Sequence, residues 1–240
     1  MKKLMTMAAV AFAVALGTMD AKADEERAWA WSPLGIGIAA PIQLPFTTTD
    51  IYGLRFGGFF GSNADVFGVD GSLVGMESGD MIGIAAAGFN WTSGDVYGLQ
   101  VGAVANIVRE NVYGLQVGLV NADFGEASAG FQIGAVNYAL AFRGIQIGAL
   151  TWDVSASAGW QVAVANWDFE DFSGAEIGAI NFAGQLTGCQ LGAINLAKDA
   201  SGCQIGVVNA TERMHGVQIG VLNLITESPF PIMVIANARF

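Results

Sequence analysis

The side chains able to do chemistry are few. One histidine, His215, stands just before Gly216, and equivalent segments put Ser201, Thr187 or Arg143 in its place. With no Gly-x-Ser-x-Gly elbow in the chain, it has no nucleophile to serve as a general base. His215 therefore reads as a tolerant turn position. Cys189 and Cys203 have no further Cys partner and only one His in the whole chain, too few ligands for zinc. Either they form a disulfide, as an oxidising compartment allows, or they are two small apolar side chains. Asp168, Glu170 and Asp171 could offer hard oxygen ligands to calcium, but their spacing fits no known calcium loop. They read as a solvated acidic turn. No phosphate-cradling Gly-x-x-x-x-Gly-Lys-Ser/Thr occurs. The expectation is no catalytic residue, no metal and no cofactor: a non-enzymatic protein.

What does recur is a unit, Gly-x-Gln-x-Gly-x-x-Asn. Its leading glycines are Gly98, Gly114, Gly130, Gly144, Gly159, Gly174, Gly188, Gly202 and Gly216, spaced 14 to 16 residues apart. The glutamine returns as Gln100, Gln116, Gln132, Gln146, Gln161, Gln190, Gln204 and Gln218, with Glu176 in one copy. The asparagine returns as Asn106, Asn121, Asn137, Asn166, Asn181, Asn195, Asn209 and Asn223. The clear repeats cover 96–224, and weaker copies lie at Tyr52 to Gly57 and Ile82 to Asn90. Within a unit the residues alternate: Thr187, Cys189, Leu191, Ala193 and Asn195 share one face, and Gly188, Gln190, Gly192 and Ile194 the other. Period two is the strand signal. Turn formers such as Ser93-Gly94-Asp95 separate the strands. So many glycines exclude helix, where each costs about 1 kcal/mol.

The N-terminus predicts export. Lys2 and Lys3 precede an uncharged apolar stretch, Leu4 to Leu16, and Ala21-Lys22-Ala23 is a cleavage-site pattern. Residues 1–23 are thus expected to be a signal peptide, and 24–240 a single β-repeat domain. Removing 1–23 takes away Lys2, Lys3, Lys22 and Asp20. That leaves 7 basic and 20 acidic residues, a net charge of −13, which excludes nucleic acid as a partner. Charged residues are only 13% of the chain, against about 25% in ordinary soluble domains. Glycine is high, at 33 residues, and the mean hydropathy is +0.48. An apolar face must meet something other than water.

Two all-β architectures fit. In an antiparallel outer-membrane β-barrel of about 14 short strands, the Leu/Val/Ile face would meet lipid and the Gly/Gln face would line the interior. In a parallel β-solenoid with one repeat per coil, Gln and Asn would stack in ladders and the apolar face would fill a thin core. The C-terminal strand, 231–240, favours the barrel. Ile232, Val234, Ala236, Ala238 and Phe240 alternate up to a terminal aromatic, resembling the insertion signal of outer-membrane barrel proteins. Trp91, Trp152 and Trp167 fall near predicted strand ends, as an interfacial aromatic girdle would require; ordinary strand packing explains them equally.

The run Gly114-Leu-Gln-Val-Gly-Leu-Val-Asn121, repeated in tandem, resembles the LA_2272-type surface repeat family, first named in spirochaetes. That resemblance implies a cell-surface location and no assigned activity, and it leaves the fold open. The chain departs from lipoprotein members in having no cysteine near its N-terminus. The functional expectation is an outer-membrane or cell-surface repeat protein, structural or channel-like, with membrane lipid and the barrel-insertion machinery as partners. The alternative is a surface solenoid that binds a protein or glycan.

Overall fold

A computed structural model describes residues 31–39, 42–45 and 47–240. The expected signal peptide, 1–23, and Trp29 lie outside the described residues. The chain is all-β, with strands Trp31–Ala39 (β1), Ile42–Leu44 (β2), Asp50–Asn63 (β3), Val66–Glu77 (β4), Met81–Thr92 (β5), Val96–Val108 (β6) and Val112–Asp123 (β7). Then come Ser128–Ile133 (β8), Val136–Ala139 (β9), Phe142–Ile147 (β10), Leu150–Asp153 (β11), Ser157–Val162 (β12), Ala165–Ile225 (β13) and Ile232–Arg239 (β14). All fourteen belong to one sheet.

Pairing is parallel and in register from one repeat to the next. Gly98 pairs with Gly114, Gln100 with Gln116 and Asn106 with Asn121; Gly144 and Gln146 pair in the same way with Gly159 and Gln161. This is the β-solenoid, and it corrects the antiparallel barrel. In a barrel hairpin, each Gln would oppose a residue of different type. Here like meets like, because each copy is stacked on the last. Each coil has two arms. The first arm carries Gly-x-Gln-x-Gly, and the second carries the Asn. A corner of small or aliphatic residues joins them, and a turn leads to the next coil.

The ends are closed by antiparallel strands. β2 pairs with β1 at the N-terminal end. β14 lies antiparallel on the last coil, with Asn237 in register with Gln218 and Arg239 with Gly216. The C-terminal strand thus covers the last coil instead of joining a barrel wall, and Phe240 is exposed.

The coil interior is narrow and mostly polar. Four columns point inward. They are the residue two before the leading Gly, the Gln, the Asn, and the residue two after the Asn. The first and last of these supply the apolar contacts, as in the clusters Phe172, Ala183, Leu186, Met214 and Ile225 and Met81, Val96, Val108 and Val112. The Leu/Val/Ile positions between the columns face outward. The apolar face does not fill the core, contrary to the expectation for a solenoid.

Candidate functional site

The leading glycines make the stacking possible. Twelve of them, from Gly53 to Gly216, have positive φ. A Cβ on Gly188 would lie 2.0 Å from the carbonyl oxygen of Gly174, and one on Gly202 equally close to Gly188. Only glycine accepts both that backbone angle and that approach.

Inside, the Asn side chains form a ladder. Nδ2 of Asn106, Asn121 and Asn137 donates across the coil to the carbonyls of Val117, Ile133 and Ile147, each at 3.0 Å. Asn106 also donates to Oδ1 of Asn121, and Asn121 to that of Asn137, both at 2.8 Å. After a break at Thr151 the ladder resumes from Asn166 through Asn181, Asn195 and Asn209 to Asn223. The glutamines donate in the opposite direction along the axis. Gln132 donates to Gln116 at 3.0 Å, Gln146 to Gln132 at 2.9 Å and Gln218 to Gln204 at 2.8 Å. A fixed coil spacing near the usual strand separation of about 4.7–4.9 Å lets each amide satisfy the next, so burying them carries no unpaired-donor penalty. Two buried amide oxygens lack a donor, Asn90 Oδ1 and Gln218 Oε1. They stand at the first rung of one ladder and the last rung of the other. The predicted Gln face is therefore an internal seam, with no lumen for it to line.

At the N-terminal end Arg55 takes the Gln place and Asp70 takes it in the next coil. Arg55 grips Asp70 with two bonds of 2.7 Å and also pairs with Glu77. All three are buried. The Asn place is glycine in these coils: a Cβ on Gly75 would sit 2.8 Å from Asp70 Oδ2 and 3.3 Å from an Arg55 nitrogen. Burial disfavours the Arg55 charge, but Glu77 and Asp70 more than offset it and raise its pKa. Burial raises Glu77, against the pull of Arg55.

Further along, four carboxyls enter the interior without a cation. Burial pushes Asp123 up to about 7, although Ser128 and the Gly125 N–H favour its charged form. Burial also raises Asp153 to about 6 despite donors from Gln146 and Gln161. Asp168 is pushed well above the carboxylate range by burial and by neighbouring Asp153 and Glu176, and Glu176 is raised to about 7, chiefly by burial. Asp168 Oδ2 and Glu176 Oε1 are buried without a donor. A proton kept on Asp168 supplies one to its neighbour, the usual answer when two carboxyls share a site. The expected acidic turn is thus divided. Asp168 faces inward, while Glu170 and Asp171 face out. Among the described residues no group of His, Cys, Asp and Glu could hold a metal ion.

The exterior is apolar on three sides. Outward positions of the first arm read Leu99 and Val101, Leu115 and Val117, Phe131 and Ile133, then Ile145 and Ile147. The second arm carries Phe89, Val120, Leu150 and Ile194, while Trp91 and Ile107 are covered in a cluster of their own. At the corner Leu119 is 58% exposed, Val164 63% and Val221 68%. Charged residues from 50 to 228 lie in the interior or sit at the opposite, turn-bearing edge, except Arg143, which is exposed at the start of the first arm in register with Tyr97 and Tyr113. Aromatics gather next to that edge. Tyr97 stacks on Tyr113 and Tyr52 on Phe67 along the first arm. Trp152, Trp167 and Phe182 stack along the second. No family model, curated protein or solved structure matches this chain.

Cys189 and Cys203 occupy one outward position on neighbouring coils. Their Cα atoms are 4.7 Å apart and a disulfide joins them. His215 is exposed at the turn edge. The residues that sequence reasoning missed are Arg55, Asp70 and Glu77, together with the interior Asp123 and Asp153. Their signal was positional, since Arg55 fills the Gln slot of a degenerate copy.

Proposed function

We propose that the protein is a non-enzymatic cell-envelope scaffold, exported to the outer membrane or cell surface, that works by binding through its outer faces. One observation carries the reading. The Gln and Asn amides are enclosed in ladders with buried carboxyls beside them, and most exposed charges sit at the turn edge, while the arms and corner offered to partners are largely aliphatic and aromatic. Soluble monomers rarely expose a contiguous apolar patch beyond a few hundred Å², and larger ones mark protein or membrane contact. The export pattern at residues 1–23 and the resemblance of Gly114 to Asn121 to surface repeats support the same compartment. The solenoid removes the basis for a channel, so the binding role is the one proposed.

The test is fractionation of the native host, followed by protease added to intact cells. The reading predicts a protein found in the envelope fraction. Recovery as a freely soluble cytoplasmic protein would overturn it.

A further inference from the structure

The exterior has a polarity that a plain binding surface does not need. The turn edge carries Asp65, Asp80, Asp95, Glu110 and Glu170 along the axis, while the corner edge opposite carries Val104, Leu119, Val164, Ala193, Val207 and Val221. Between the two edges both arms present apolar side chains. The tyrosines and two of the tryptophans lie nearer the charged edge, whereas Phe131 and Trp160 stand further along the first arm. Tyr52, Tyr97 and Tyr113 each stand just before a leading Gly; Tyr138, Trp152 and Trp167 stand just after the Asn position of the second arm. The Tyr97 hydroxyl donates to Asp95 at 3.2 Å.

We propose that the solenoid is seated edgewise in one leaflet of a lipid membrane. The corner edge points toward the acyl chains and the acidic turn edge stays in water. This rests on the envelope reading above and names the partner of the apolar faces. Three observations favour lipid over a second copy of the chain. A dimer through one arm would leave the other arm and the corner in water, whereas a leaflet covers all three at once. The depth also matches. From Leu115 to the corner at Leu119 the strand rises roughly 13 Å, close to one hydrocarbon leaflet of about 15 Å. Finally, Tyr52, Tyr97, Tyr113, Tyr138, Trp152 and Trp167 lie at the level where headgroups meet acyl chains, the depth these side chains prefer. Between the two ends the stacked coils pair their backbone groups internally, as a structure in hydrocarbon must; the free edges are confined to the end strands β1, β2 and β14. The acid-rich turn edge makes a zwitterionic surface a better host than an anionic one.

The experiment is flotation of the purified, exported chain with phosphatidylcholine vesicles. Two variants accompany the wild type: Leu119→Asp with Val164→Asp and Val221→Asp at the corner, and Ala127→Asp with Gln185→Asp and Thr226→Asp at the turn edge. Far-ultraviolet circular dichroism checks that each keeps its β signal. The wild type and the turn-edge variant should float, and the corner variant should lose partitioning by about a hundredfold or more. Vesicles containing phosphatidylglycerol should recruit less protein at low salt. A folded, dispersed wild type that stays out of the lipid layer would overturn the proposal, as would equal flotation of both variants. Lipid-free particles that the corner substitutions disperse would assign the surface to a second copy, and would overturn it too. Should the protein float yet be absent from the host envelope, the envelope reading fails and the lipid contact stands.

Discussion

Truncating a buried amide in this protein should cost more than truncating a neighbouring isoleucine. Asn195 shows why. Its Nδ2 donates to Asn209 Oδ1 at 2.8 Å and to the Ile205 carbonyl at 2.9 Å, while its Oδ1 accepts from Asn181 at 2.7 Å. Asn195→Ala leaves two acceptors and one donor short of a partner in a dry interior. At about 1–3 kcal/mol for each buried group left unpaired, and with Asn181 retaining its bond to the Leu191 carbonyl, the loss should be about 3–5 kcal/mol. Ile194, next in the chain, points outward and is 38% exposed. Ile194→Ala should cost about 1 kcal/mol or less. The assay is guanidinium unfolding followed by circular dichroism, comparing midpoints among wild type and both variants. Midpoints are the right quantity because repeat arrays need not unfold in one step. A larger loss for Ile194→Ala than for Asn195→Ala would refute the assignment of inner and outer faces.

The buried carboxyls set a pH dependence. Asp123, Asp153 and Glu176 titrate near 7, 6 and 7 when folded, above their ordinary values of 3.8, 3.8 and 4.5. The native state binds more protons across that window, so stability should fall as pH rises from about 4 to 7. Melting temperatures measured across the window should decline, and Glu176→Gln, which restores the repeat residue, should flatten the slope. Arg55→Met strands Asp70 and Glu77 in the interior and should cost about 3–5 kcal/mol by denaturant midpoint. Adding Asp70→Asn and Glu77→Gln should recover part of it. Gly188→Ala places a Cβ against the Gly174 carbonyl at positive φ and should abolish protease-resistant fold, as limited proteolysis would show.

Much of this fold was legible in the sequence. The 14-to-16-residue period and the alternation from Gly188 to Gly192 give strands and coil length, but the phase breaks at the corner, so Asn195 faces in with Gln190 and Ile194 faces out, the reverse of the two faces expected for them. The choice of neighbour was harder, because Gln190 next to Gln204 and Gln190 across a hairpin obey the same local pattern. Recurring Gln and Asn suited stacked coils, and the terminal Phe240 suited a barrel. The structure combines the strand pairing of one reading with the sidedness of the other. Its strands stack in parallel, yet polar residues face in and apolar residues face out. That sidedness follows from ladder formation, which lets Asn and Gln satisfy one another only when identical rungs align. Asp168 was misread for the same reason. Its place two after Asn166 is an interior column, although its neighbours Glu170 and Asp171 are turn residues in solvent.

Disulfide trapping tests the central claim most directly. In a background with Cys189 and Cys203 replaced by serine, two pairs are compared. Leu99 and Leu115 are direct neighbours in the parallel ladder, so Leu99→Cys with Leu115→Cys should cross-link. A hairpin turning at Arg109 and Glu110 would instead set Leu99 opposite Val120. The account predicts a bond in the first pair and none in Leu99→Cys with Val120→Cys, whose sites lie on opposite arms. The reverse pattern would contradict the parallel solenoid.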